Sequence, residues 1–233
     1  MNFAAVNTYS ELAQLFDELN ARVQTLRDRL GYEESDARQV LLRGIQIVIA
    51  GYAMGFRAMW FGRTGNQIDE ALGVANLSFD EKRQAVEDAW RLGLVTLCMF
   101  KIDALLGRLL TALALPVHLG FFRNARSLLN TITIGAPNLK LDTLMVPAAI
   151  RNSLHNNGIH RGPNSSMLLH GMQYDFSDGD SVQCAGWQHI FAALTACIDV
   201  LDEILFSAEI QAIPSGIEEP YVVKLRELEE LGD

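Results

Sequence analysis

The stretch Ile150-Arg151-Asn152-Ser153-Leu154-His155-Asn156-Asn157-Gly158-Ile159-His160 holds the densest set of residues able to do chemistry. Arg151 and His155 lie four positions apart, so on a helix they differ by about 40° in azimuth and address the same small group. A guanidinium and an imidazole on one face suit a phosphodiester. The arginine fork holds phosphate oxygens bidentately and meets the charge that develops in the transition state, while histidine exchanges a proton near neutral pH. Asn152 and Asn156 add polar groups that can orient a substrate or a partner side chain. Asn156 and Asn157 ahead of Gly158 are equally natural as helix-terminating residues. The same Arg-Asn-xx-His set can also serve structure alone, by bonding carbonyls and a carboxylate of a neighbouring helix.

Other chemistries find less support. The sequence has no GxGxxG, Walker A loop, GxSxG elbow, HExxH or EF-hand loop, which removes most of the case for dinucleotide redox, P-loop hydrolysis and ordinary serine-hydrolase catalysis. His155, His160 and His170 lack a recognised ligand spacing, so they read as solvated loop histidines; neither a metal nor a cofactor is expected. His189 reads as a core-edge residue, and His118 has no obvious partner. Trp60, Trp90 and Trp187 fall at apolar helical positions, where core packing is the default and base stacking the minority role. Asp199, Asp202 and Glu203 read as a solvated face.

The helices that must carry Arg151 and His155 follow from composition and caps. The chain has 233 residues, 49% of them hydrophobic and 20% charged, enough to bury one sizeable core. With 28 acidic against 19 basic residues the net charge is −9. Polyphosphates are repelled globally, and a nucleic-acid site must be a local patch, for which Arg123, Arg126, Arg151 and Arg161 are the cations at hand. Cys98, Cys184 and Cys197 form no CxxC and read as buried thiols of a reducing compartment. The N-terminus shows no basic segment followed by an apolar one, so a cytoplasmic location is expected. Two apolar stretches invite comparison with membrane spans. Arg43 and Arg57 bound the first, Lys101, Asp103 and Arg108 interrupt the second, and no membrane partner is expected.

Thr8 with Glu11 makes a capping box, after which Phe16, Leu19, Val23, Leu26 and Leu30 recur at helical spacing until Gly31. A second helix from Ser35-Asp36 is apolar on nearly every face towards Trp60 and reads as central. Ser78 with Glu81 opens the longest element, which runs to Pro116 and spans roughly 50 Å if Gly93 and Gly107 leave it unbroken. Phe121 to Leu129 is ambiguous between helix and loop, and Ile132 to Ile134 suits an extended segment. Pro147 suits the first turn of a helix that ends at Asn156-Asn157-Gly158. Met167 to Phe176 and Ser181 to Cys184 read as a β-hairpin turning at Asp178-Gly179, and a last large helix starts at Trp187. The expected fold is all-α: a single helical domain over 1–213, with a β-hairpin near 167–184 and an acidic C-terminal tail, 214–233, with loosely helical apolar spacing.

The Arg-Asn pair, the His-Asn-Asn-Gly run, the preceding apolar helices and the following helix from Trp187 together resemble the Arg-polar-xx(x)-His signature of the HEPN superfamily. The interval between Arg151 and His155 is shorter than the family's usual one, and the sharp motif covers about a dozen residues. The resemblance implies an all-α domain, frequently a homodimer with one composite site, acting as a metal-independent endoribonuclease of toxin or defence systems. It implies that Arg151 contacts the scissile phosphate, His155 transfers a proton and Asn152 fills the polar position after arginine. RNA is then the substrate, and a neutralising protein a further partner. The alternative is a catalytically inactive HEPN-like interaction or regulatory protein, which the acidic tail also suits. A membrane-surface role is disfavoured because anionic lipid repels an acidic chain.

Overall fold

The computed structural model describes residues 3, 8–60, 67, 70, 73 and 77–219. Among them are seven helices and one two-stranded antiparallel sheet: α1 (Tyr9–Leu30), α2 (Ala37–Trp60), α3 (Phe79–Ala112), α4 (Phe121–Thr131), α5 (Pro137–His155), β1 (Ser165–Leu169), β2 (Met172–Phe176), α6 (Trp187–Leu205) and α7 (Ala208–Gln211). The fold is an all-α bundle with a small hairpin before the last long helix. Both capping boxes form: the Thr8 and Ser78 hydroxyls accept from the Glu11 and Glu81 N–H groups, and each glutamate accepts from its cap's N–H. Gly31 closes α1 in the left-handed region at φ 65°.

The central element is α6, with α1, α3 and α5 packed around it. Fourteen of its 19 residues are buried, against ten of 24 in α2, because α2 turns Ile47 and Met54 to solvent, 64% and 71% exposed. The α2 helix is long and apolar enough to cross a membrane by length and composition, which Arg43 and Arg57 do not prevent; its Leu42, Ile45, Ile49 and Phe56 face is nevertheless spent on the core. Trp187, Phe191, Phe16 and Phe56 interlock with ring centroids 4.7 to 6.2 Å apart, near-perpendicular at Phe16 and Phe191, as the aromatic quadrupole favours. Asp199 and Asp202 are not a bare solvated face. They pair with Arg22 and Arg29 of α1, and Glu203 pairs with Lys140 of α5, so the acids of α6 tie both neighbours to it.

One ambiguity is resolved and two local expectations are corrected. Phe121–Thr131 is a helix. Pro147 does not start α5 but sits inside it, the helix beginning instead at Pro137. Proline lacks the N–H that would reach the Thr143 carbonyl, and Cys197 supplies a replacement: its thiol donates to that carbonyl at 3.7 Å, burial pushing the thiol's pKa up so that it keeps the proton. The hairpin turns at His170-Gly171, both at positive φ as a type I′ turn demands. Asp178-Gly179 makes a separate turn whose Gly179 N–H donates to the His160 carbonyl, and Ser181 bridges to Ile159.

The tail's first residues, 214–219, form no helix but a strap across the start of α2. Asp36 and Arg38 are both fully buried there and paired at 2.7 Å. The Asp36 carboxylate also accepts from the N–H groups of Arg38, Gly216 and Ile217, while Arg38 donates to the Pro214 carbonyl. Burial pushes the Asp36 pKa up, but the hydrogen bonds from Arg38 and Gly216 and the Arg38 charge outweigh it and hold the carboxyl below its ordinary value. A depressed carboxylate contributes stability above its unfolded pKa and loses it as pH falls through the folded one. D36A should therefore cost about 3–5 kcal/mol in urea unfolding at pH 7, by stranding the Arg38 charge, with the penalty shrinking below about pH 4. D36L/R38M should recover most of the loss, and equal destabilisation by the single and double variants would contradict this.

Candidate functional site

Proline at the first turn of α5 and an αL pair at its end fix where the candidate residues stand. The Asn156 N–H donates to the carbonyls of Asn152 and Ser153, Asn157 takes φ 55°, and Gly158 at φ 80° returns its N–H to the Ser153 carbonyl at 2.8 Å. Asn156 and Asn157 thus end the helix. Arg151, Asn152 and His155 sit on its last turn and line one groove of about 670 Å³, whose opposite wall is α3. The sequence-based set is brought together in those three residues, and Asn156 and Asn157 stay outside the groove.

Arg151 is half-buried and donates through Nε and Nη2 to the Asn152 side-chain oxygen, at 3.1 and 2.7 Å. The asparagine sets the plane of the guanidinium and leaves other donors open. His155 is exposed. Among the described residues no carboxylate pairs with either, so neither is locked as a structural ion pair would lock it. Arg123, Arg126 and Arg161 do not line the groove. Its cationic character rests on Arg151 and, when protonated, His155.

The α3 wall consists of Ala89, Leu92, Gly93, Thr96, Leu97 and Phe100. Leu97 is 42% and Phe100 58% exposed. Neither residue is singled out by the sequence patterns above. The available signal was that Phe100 falls two positions before Ile102, off the buried Leu94, Cys98, Ile102 and Leu105 face. Gly93 is required on this helix because a Cβ there would stand 2.0 Å from the Tyr52 hydroxyl.

The other histidines separate from the groove. His160 is buried, not solvated: its ring packs on Phe176, Nδ1 lies 3.4 Å from the Ser153 hydroxyl, and Nε2 lies 3.2 Å from the Pro163 carbonyl. A carbonyl only accepts, which places a proton on Nε2. His170 at the hairpin turn pairs with Asp199 at 3.3 Å. His189 is half-buried, with its pKa lowered by that burial. Among the described residues no group of three or more His, Cys, Asp or Glu could hold a metal ion. The three thiols are free and buried. Trp60 and Trp187 are core residues and Trp90 packs against the core.

In comparisons with protein-family models, curated proteins and solved structures, nothing matches the chain.

The two histidines of the motif should respond oppositely to truncation. H155A and R151A, at accessible positions, should leave stability within about 0.5 kcal/mol of the parent. H160A should cost about 1–3 kcal/mol, since it removes a buried ring and its hydrogen-bond partnership. Thermal unfolding of the three variants measures this, and an H155A penalty as large as that of H160A would assign His155 to structure.

Proposed function

We propose that this chain is a HEPN-like, metal-independent endoribonuclease of a toxin or defence system, acting in the cytoplasm as a homodimer. The observation that carries the reading is that Arg151 and His155 line one open groove with no carboxylate, among the described residues, holding either. In the proposed reaction the 2′-hydroxyl oxygen attacks the adjacent phosphorus and the bond to the 5′-oxygen breaks. The products are a 2′,3′-cyclic phosphate and a 5′-hydroxyl end. Arg151, held flat by Asn152, meets the charge that builds on the phosphoryl oxygens. His155 accepts the 2′-hydroxyl proton, and the imidazole of a second copy, brought by the dimer that the resemblance implies, would protonate the departing 5′-oxygen. Phe100 on the facing wall offers an aromatic surface on which a neighbouring base can stack, a contact that tolerates any sequence.

A second reading is favoured by the apolar wall itself: Leu97 and Phe100 beside an arginine already occupied by Asn152 suit an inactive HEPN-like interaction or regulatory protein. One experiment separates the two. Incubated with single-stranded RNA in excess EDTA, the parent should give cyclic-phosphate ends, R151A and H155A should lose about 10²–10⁴-fold in rate, and F100A should weaken substrate binding more than turnover. Absence of cleavage, or cleavage unaffected by both substitutions, would leave the interaction reading.

A further inference from the structure

We propose that the connection between α3 and α4, together with the first turns of α4, docks on an anionic membrane surface: Leu119 and Phe122 enter the bilayer interface while Arg123 and Arg126 meet its headgroups. The first observation is a local reversal of charge. In a chain of net charge −9, no acidic residue stands between Asp103 and Asp142, a stretch that carries Arg108, Arg123, Arg126 and Lys140. Arg108 and Lys140 are spent on Glu219 and Glu203. Arg123 and Arg126 are exposed, and among the described residues neither pairs with a carboxylate.

The second observation is what stands beside those two cations. Val117 is 53% exposed, Phe122 44%, and Leu119 wholly so at 101%. Phe122 and Arg126, one helical turn apart, share the outer face of α4, the guanidinium 5.9 Å from the ring centroid, while Asn124, Ala125, Leu128 and Leu129 turn inward. Arg123 borders the same face, about 100° round the helix from Phe122. The backbone is built to hold Leu119 out. Buried Asn124 accepts from the His118 N–H at 2.8 Å and donates to the Asp103 carboxylate at 3.2 Å. Gly120, at φ 125°, then turns the chain into α4. Leu119 is thus fixed between a pinned residue and a glycine, and its side chain has no route back to the core.

The chemistry of the tip selects its occupant. Aliphatic Val117 and Leu119 offer no ring on which a base can stack, which a single-stranded RNA site needs. A stable protein interface takes about 20–30 residues a side, and three projecting apolar residues fall far short of that. Apolar side chains for the acyl boundary, ringed by cations for anionic headgroups, are what a bilayer surface takes. The chain's overall negative charge argues against lipid only at long range. It is screened beyond about 8 Å at physiological ionic strength, so the unpaired cations at the contact decide the sign. Neither arginine lines the Arg151–His155 groove, and the docking does not rest on the cleavage reading.

The test uses the full chain with vesicles of phosphatidylcholine alone or mixed equally with phosphatidylserine. The parent should co-sediment with the mixed vesicles and not with the neutral ones. L119E and R123E/R126E should each lower the partition coefficient about tenfold or more, and R123K/R126K should keep it. Thermal unfolding of these variants should match the parent, since every replaced side chain is exposed. A polarity-sensitive dye on L119C, the three native thiols being buried, should shift to the blue on mixed vesicles, whereas the same dye on M54C of α2 should not. Absence of binding, binding indifferent to the substitutions, or a shift at M54C alone would overturn the proposal. So would a vesicle-free shift of the L119C dye, which would assign the tip to a second copy if it follows protein concentration and to nucleic acid if it follows added single-stranded RNA. Each of these failures leaves the Arg151–His155 cleavage reaction standing.

Discussion

The structure depends on burying α6 on nearly every side. An apolar helix with so little surface left must be enclosed, and it is enclosed by α1, α3 and α5, whose positions are then no longer independent. The Phe16–Phe191–Trp187 contacts fix α1 against it. The Cys197 thiol, reaching the carbonyl that Pro147 leaves unmatched, fixes α5. Burial of these side chains contributes about 1.5–3 kcal/mol each, far more than the surface ion pairs of Arg22, Arg29 and Lys140, which add orientation more than energy. With α5 and α3 both committed to the core, the end of α5 stands over the outer side of α3, and the groove is the space left between them.

The chemistry of that groove is a consequence of how α5 stops. Had the helix continued past His155, another turn of side chains would crowd the site. The αL residues Asn157 and Gly158 turn the chain away, and buried His160 holds the returning segment against Ser153. Polar residues close in sequence are thereby sorted into two roles. Arg151, Asn152 and His155 face the groove. Asn156, Asn157 and His160 build the stop that keeps it open.

Much of this was legible in the sequence, and what was not has a physical reason. Local devices read directly, because Thr8 with Glu11, Ser78 with Glu81 and Gly31 act on backbone groups within one turn. The pairing of Arg151 and His155 on one face followed from helical periodicity alone. Pro147 misled because the rule that proline opens helices concerns the missing N–H, and the sequence does not reveal that Cys197, fifty positions on, would take over the orphaned carbonyl. The hairpin was displaced because Asp-Gly is the stronger local signal for a turn, whereas His170 adopts positive φ only with the strand pairing to hold it. The burial of His160 and the exposure of Phe100 are tertiary facts: the first depends on Phe176 packing over the ring, the second on which side of α3 the α2 and α5 helices leave open.

The central claim is that the Arg151–His155 groove receives a sugar-phosphate strand. A 2′-O-methyl oligoribonucleotide, which lacks the attacking hydroxyl and so binds without being cleaved, tests it most directly when titrated into isotope-labelled protein. The account predicts saturable shifts of the His155 ring and the Arg151 Nε–H, with the buried His160 ring unmoved. Oligonucleotide binding that leaves both Arg151 and His155 signals in place, or that moves only residues remote from the end of α5, would contradict it.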